Sequence, residues 1–184
     1  GIDNKQIYFL ERITTHTTRT ELEYSMYIKG ILDIHGVKTK DIEGAILSSV
    51  VPPLNITIKN AVKKILGIEC MLVESGMKTG LNILMDNPKS VGSDMIVDAI
   101  AAMSEYPLPL AVIDMGTATT ISVVDEHGNY IGGIIHPGLR ISLDTLSSKT
   151  AQLPQVNLDI PKKVIAKNTV DSMRSGILFG HAGM

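Results

Sequence analysis

The sequence holds one cysteine in 184 residues and no tryptophan. A single thiol closes no intrachain disulfide and builds no cysteine cage for zinc. A reducing, cytoplasmic setting is the simplest reading of that usage. Aromatic residues are five Tyr and two Phe, too few for a platform on which bases stack. Neither sign of charge is in excess, with 17 Lys+Arg against 19 Asp+Glu and a formal net charge of -2. That balance gives no electrostatic reason to expect nucleic acid or an anionic membrane as partner. No apolar run reaches the roughly 20 residues that a spanning helix needs. The opening Gly1-Ile2-Asp3-Asn4-Lys5 has no apolar signal-peptide core and no initiator Met.

What is present is ordinary for a chain that buries a core: 44% hydrophobic and 20% charged residues. The length suits one large domain or two small ones. Residues 7–10 read as a strand and residues 1–5 as a hairpin turn before it. The strand on the other side of that turn is not in the sequence, so the chain reads as a piece of a longer one. Thr20 followed by Glu23 is a capping-box pattern. The spacing of Met26, Tyr27, Ile31 and Ile34 then predicts a helix that stops at Gly36. Residues 44–51 read as an apolar strand broken only by Ser48 and Ser49. Pro52-Pro53 opens a helix with Leu54, Ile58, Val62 and Ile65 on one face and Gly67 at its end. Residues 68–73 read as another buried strand, and the alternation argues for α/β layering.

Residues 90–104 read as a helix with Ile96, Val97, Ile100 and Met103 facing the core. After Pro107 and Pro109 come three β-rich runs, residues 110–113, 119–124 and 130–135, with a tight turn at Glu126-His127-Gly128-Asn129. An antiparallel meander therefore starts near Leu110, and a domain boundary is placed between Tyr106 and Pro109.

Four segments could carry chemistry. In Asp114-Met115-Gly116-Thr117-Ala118-Thr119-Thr120 a carboxylate at a strand end precedes glycine and hydroxyls. Gly116 allows close approach of backbone to an anion, threonine hydroxyls donate to phosphate, and the carboxylate suits a cation. A hairpin of β-branched residues with an Asp at its turn gives the same pattern. Val91-Gly92-Ser93-Asp94 puts an acid in a first helical turn. That acid complements the helix dipole, or serves as a base toward a substrate hydroxyl. Gly132-Gly133 within a strand implies a bulge or close backbone approach. His136 beside Pro137-Gly138 reads as structural, because no Ser or Cys nucleophile motif accompanies it. Asn168-Thr169 reads as a helix N-cap before it reads as a ligand contact.

In order and spacing these segments resemble the type III pantothenate kinases. The run from Asp114 to Thr120 resembles that family's second phosphate motif, Gly132 to Gly138 its Gly-x-Ile-x-Pro-Gly turn, and Val91-Gly92-Ser93-Asp94-Met95 its Gly-Ala-Asp-Arg motif. Leu153-Pro154, Pro161 and Asn168-Thr169 through Ser175-Gly176 match its C-terminal part. Arg19-Thr20, Glu23-Tyr24 and Ser48-Ser49-Val50-Val51-Pro52 match its N-terminal part. The resemblance implies an α/β fold of the acetate and sugar kinase, actin and heat-shock ATPase superfamily. Such a fold has two ribonuclease-H-like domains with ATP in the cleft between them. Both would be incomplete here: residues 1–106 without the first strand, and residues 107–184 without the C-terminal part. It also implies ATP-dependent phosphorylation of the pantothenate 4′-hydroxyl, a homodimer, Mg²⁺, and a monovalent cation, K⁺ or NH₄⁺.

Residue by residue, the resemblance implies that Asp94 is the catalytic base and that Gly92, Ser93 and Asp94 contact pantothenate. It makes Asp114 the monovalent-cation ligand, places Gly116 and Thr117 at the ATP phosphates, and makes Thr169 a pantothenate contact near the dimer interface. The family's Asp-x-Gly-Asn-Thr strand would precede Gly1, and its Gly-rich adenosine motif would follow Met184. Met85 stands where the family has Tyr, and Met95 where it has Arg. A thioether cannot donate the hydrogen bonds that a guanidinium gives a carboxylate, and pantothenate has a carboxylate. A non-catalytic paralog serving as a dimeric regulatory or interaction module is therefore the alternative. A relative that phosphorylates a less acidic acyl or sugar substrate is a third reading.

Overall fold

The computed structural model describes residues 1–3, 6–74 and 76–184. The chain divides into two compact units, Gly1–Lys78 with Lys89–Val97, and Thr79–Pro88 with Asp98–Met184. Among the described residues no helix is long and apolar enough to cross a membrane.

The first unit is built around one strand–helix–strand segment. Strand β1 (Ala45–Leu47) pairs in parallel with β2 (Cys70–Leu72), Ala45 opposite Cys70, and helix α2 (Pro52–Leu66) joins them. Pro sits in the first turn of α2, where its missing N–H costs nothing, and Gly67 ends the helix at φ +71°. Strand β1 is shorter than the expected residues 44–51. Ser93 Oγ takes both the N–H and the carbonyl of Ser49, so the backbone of that residue is engaged by a side chain rather than by a ladder. Helix α1 (Glu21–Ile34) starts with the capping box as expected: Glu23 N–H donates to Thr20 Oγ1, and Thr20 N–H donates to Glu23 at 2.7 Å. That backbone donor holds the Glu23 carboxyl below its usual range.

The face that α1 buries is not the expected one. Tyr24, Ser25 and Leu32 are buried, and Ile28 packs with them, whereas Met26, Tyr27 and Ile34 are exposed. Two small residues explain the choice. Ser25 is 1% exposed and Ala61 of α2 is 0% exposed, and the Ser25 hydroxyl reaches both Glu21 O and Ala61 O. Close helix contact there turns Tyr24 toward Leu54 and Ala61. The Tyr24 hydroxyl is satisfied by the backbone of His16. Residues 7–10 do not form the expected strand. Ile7 makes only an isolated antiparallel bridge with Ile2, and Tyr8 and Leu10 are exposed. Of the turn expected over residues 1–5, Asn4 and Lys5 lie outside the described residues, and Ile2 is in the bridge with Ile7.

The second unit is a four-stranded sheet in the order β3-β6-β5-β4. Strands β4 (Leu110–Met115), β5 (Ala118–Val124) and β6 (Asn129–Pro137) form the expected meander, and β3 (Asn82–Ile83) joins β6 in parallel. The bulge expected from Gly132-Gly133 is present between Val123 and Val124, with Gly132 at φ +147°. A Cβ on Gly133 would meet the Ile121 carbonyl. Ser122, Val124 and Tyr130 are buried, and the Tyr130 hydroxyl lies 3.2 Å from Ser122 Oγ. Helices α4 (Leu139–Lys149) and α5 (Thr169–Ala182) pack on each other, and α4 lies against β5. Helix α3 (Ser93–Glu105) begins three residues later than expected, and Val97 is 38% exposed rather than core-facing.

The rotated face of α1 is testable. Leu32→Ala should cost about 2–5 kcal/mol in urea denaturation, as buried truncations do. Met26→Ala, on the exposed side, should stay within about 0.5 kcal/mol. Equal losses would restore the face read from spacing.

Candidate functional site

The candidate residues form two groups, one in each unit. In the first unit, α3 begins at Ser93, with Gly92 before it and Asp94 in its first turn. The Ser93 hydroxyl accepts from Ser49 N–H at 3.1 Å and Ser48 Oγ at 3.2 Å and donates to Ser49 O at 3.0 Å. One donor and two lone pairs are then used up. The Ser93 side chain therefore stitches α3 to the Ser48-Ser49 segment, and only its backbone is left for a ligand. A Cβ on Gly92 would fall on Asp94 Oδ1, so the missing side chain lets the carboxylate fold back over the backbone. Asp94 Oδ1 accepts the Met95 N–H at 2.8 Å. No other hydrogen bond or ion pair engages this carboxylate among the described residues, which leaves Oδ2 open. Asp94 and Met95 are both half-buried.

Reading the sequence did not find the serine knot, although Ser48 and Ser49 interrupting an apolar strand were a visible signal. It also missed Asn55. Its Oδ1, in the first turn of α2, is buried with no hydrogen-bond partner among the described residues. A buried acceptor left unpaired is uncommon, and a donor from outside the chain would satisfy it.

In the second unit, Asp114 pairs with Thr120 and Met115 with Thr119. Gly116-Thr117 lies between the end of β4 at Met115 and the start of β5 at Ala118. Gly116 N–H donates to Ala118 O at 3.0 Å, and Thr117 O accepts the Gly138 N–H at 3.0 Å. A Cβ on Gly116 would sit at ordinary distances, 3.8–3.9 Å from the Asp114 carboxylate oxygens. The forced close approach is at Gly138 instead, where a Cβ would overlap the carbonyl oxygens of Gly116 and Thr117. Gly138 is the N-cap of α4 and has no capping side chain. The first amides of α4 thus lack a side-chain acceptor beside a turn that carries Asp114 and Thr117. Unpaired amides at a helix N-terminus favour an anion.

Asp114 and Thr117 are exposed, and Thr119 is buried. Among the described residues no hydrogen bond or ion pair occupies the Asp114 carboxylate, and no three His, Cys, Asp or Glu side chains gather as a metal cluster. A lone open carboxylate flanked by hydroxyls suits an oxygen-preferring cation that shares its shell with phosphate oxygens and water.

The two remaining candidates stand apart from that turn. Met85 lies against Gly132, its sulfur 4.0 Å from where a Cβ would be. Thr169 is exposed as the first residue of α5, capped by Asn168, whose side chain accepts the Asp171 N–H at 2.8 Å. The opposite end of α5 meets the turn region, through His181 at Pro137 O. Twelve residues of helix, about 18 Å, separate Thr169 from that contact.

A family model described as "Type III pantothenate kinase" matches residues 2–184. A curated type III pantothenate kinase of Halalkalibacterium halodurans is 43% identical over 170 residues, which is 92% of this chain and 67% of the relative. A crystal structure from Campylobacter jejuni, titled as a conserved Baf family transcriptional activator whose assignment is provisional, superposes with a TM-score of 0.50 at 22% identity. It covers 84% of this chain, which spans only 65% of the solved one. At that identity the likeness concerns the fold alone.

The contact at Gly138 generates a paired test. Gly138→Ala must push the Gly116-Thr117 turn away, and strain of that kind costs about 1–3 kcal/mol. Gly176→Ala, in α5 with nothing within 4 Å of a new Cβ, should gain about 0.5–1 kcal/mol. Thermal unfolding of the two variants reads both, and a neutral Gly138→Ala would remove the turn's steric anchor.

Proposed function

Because this chain belongs to the type III pantothenate kinase family, we propose that the whole protein transfers the terminal phosphoryl group of ATP to the 4′-hydroxyl of pantothenate. The reaction is the first committed step toward coenzyme A. The observation that carries this reading is the family match from residue 2 to residue 184, joined to 43% identity with a curated kinase.

The chemistry asks little covalent work of the protein and much positioning. Asp94 is the base: its open carboxylate oxygen accepts the hydroxyl proton as the new O–P bond forms and the bond to the departing ADP oxygen breaks. Gly92 sets the direction of that carboxylate, and the backbone at Ser93 contacts pantothenate. Gly116, Thr117 and the first amides of α4 hold the ATP phosphates. Asp114 would hold the monovalent cation, K⁺ or NH₄⁺. Mg²⁺ bound with the nucleotide supplies further charge neutralisation.

The same reading has a cytoplasmic homodimer of two ribonuclease-H-like domains per chain, divided between residues 106 and 107. Thr169, exposed at the start of α5, reaches pantothenate near the subunit interface. The second reading, a non-catalytic dimeric paralog, is favoured by Met85 and Met95, neither of which can bind a carboxylate by charge.

Three substitutions in the intact protein separate these roles. Asp94→Asn keeps the size but removes the base, so kcat should fall about 10²–10⁴-fold with ATP affinity little changed. Near wild-type turnover would reduce Asp94 to a helix-dipole residue. Asp114→Asn should abolish activation by K⁺ or NH₄⁺ and raise the KM for ATP; an unchanged cation response removes it as the ligand. Met95→Arg should tighten pantothenate binding about 10- to 150-fold, the worth of one charge-assisted hydrogen bond. If the wild-type protein forms no phosphopantothenate with ATP and cations present, the non-catalytic reading holds.

A further inference from the structure

His181, in the last turn of α5, makes two hydrogen-bond contacts through its ring. Nδ1 lies 3.2 Å from the Ile177 carbonyl oxygen and Nε2 lies 2.8 Å from the Pro137 carbonyl oxygen. A carbonyl oxygen only accepts, and a neutral imidazole has one N–H to donate. Neither tautomer serves both partners, so both contacts are hydrogen bonds together only in the doubly protonated ring.

The Pro137 carbonyl is a focal acceptor. His136 Nδ1 reaches it at 2.8 Å and Ser142 Oγ at 3.3 Å. The two histidine rings are nearly perpendicular, with centroids 4.6 Å apart. His181 is the side chain through which α5 grips this oxygen. The next residue is Gly138, whose N–H is bonded to Thr117 O and whose Cα is pressed on the Gly116-Thr117 turn. One side chain of α5 is thus two covalent steps from the backbone that seats the phosphate-facing turn.

Resting on the kinase reading above, we propose that His181 is a positioning residue for that turn: by holding the Pro137 carbonyl it keeps Gly138 seated on Thr117. Charged and titratable groups also lie on the elements around it. On α4, which packs against α5, they are Arg140, Asp144 and Lys149, and Arg140 pairs with Asp144 at 3.1 Å. On β6 the facing group is His136. On α5 itself, Asp171 and Arg174 pair at 3.5 Å, about two turns or more away.

The test compares the intact wild-type protein with His181→Phe, which keeps a ring but no donor, and His181→Gln, which keeps one donor without charge. Amide hydrogen exchange of Gly138, taken relative to its intrinsic rate, is followed at one fixed pH. His181→Phe should lose about 3- to 10-fold protection, the worth of a hydrogen bond. His181→Gln should recover part of the loss. The KM for ATP should rise by the same factor in His181→Phe, with the KM for pantothenate unmoved. Wild-type protection and ATP KM in His181→Phe would overturn the proposal. So would a loss shared equally by both substrates and the thermal midpoint, which a merely structural residue gives. If the wild-type protein does not phosphorylate pantothenate, the kinase reading fails, and Gly138 exchange alone decides the role of His181.

Discussion

The Cα of Gly138 lies where the carbonyls of Gly116 and Thr117 leave no volume for a methyl group, and three elements are fixed by that contact. The β4–β5 turn cannot rise, because Gly138 is above it. The end of β6 cannot drift, because Gly138 N–H is committed to Thr117 O. Helix α4 must start at that point, since its N-cap is the same residue. Steric exclusion and one backbone hydrogen bond thus bring a strand end, a turn and a helix N-terminus together at a residue that has no side chain of its own. A site that held the phosphates of ATP, as proposed for this turn, would gain from that economy, because backbone amides present positive character on rigid elements.

The first unit solves a related problem with a hydroxyl. Ser93 spends its whole hydrogen-bonding capacity on Ser48 and Ser49, and so anchors the start of α3 to the chain that leaves β1. Gly92 then gives the neighbouring carboxylate room to lie over the backbone. In both units a glycine lies beside the acidic residue, an arrangement that costs little packing.

Local signals were the legible part of this fold. The capping box at Thr20, the Pro and Gly that bracket α2, the meander and the bulge at Gly132 all depend on nearest neighbours in sequence, and each is where its residues imply. The buried face of α1 was illegible because apolar residues run nearly all round that helix. Spacing alone cannot choose between Met26-Tyr27 and Tyr24-Ile28-Leu32 when the deciding residue, Ala61, is on another helix. Residues 7–10 have strand composition, but their pairing is confined to Gly1 and Ile2 among the described residues, one isolated bridge rather than a ladder. Of the candidate site, the carboxylates and the Gly116-Thr117 turn were readable as a motif. The need for glycine at 138, the saturation of Ser93 and the reach of His181 were not, because each is decided by an atom distant in sequence.

The turn that joins β5 to β6 has a consequence for how the sheet assembles. Asp125 accepts the N–H of His127 at 2.9 Å, the N–H of Asn129 at 2.8 Å and the Asn129 side-chain amide at 2.8 Å, while Gly128 takes φ +79°. All of these bonds close within five residues, so the loop entropy to be overcome is small. A hairpin of this kind forms in about 1–10 μs, well ahead of contacts such as β3 with β6 that join residues 47 positions apart. It is therefore the natural first template of the sheet, on which β4 adds along one edge and β3 along the other. Because a one-residue slip would exchange the two faces of every strand, the carboxylate of Asp125 also sets, early and locally, which face each later strand must present.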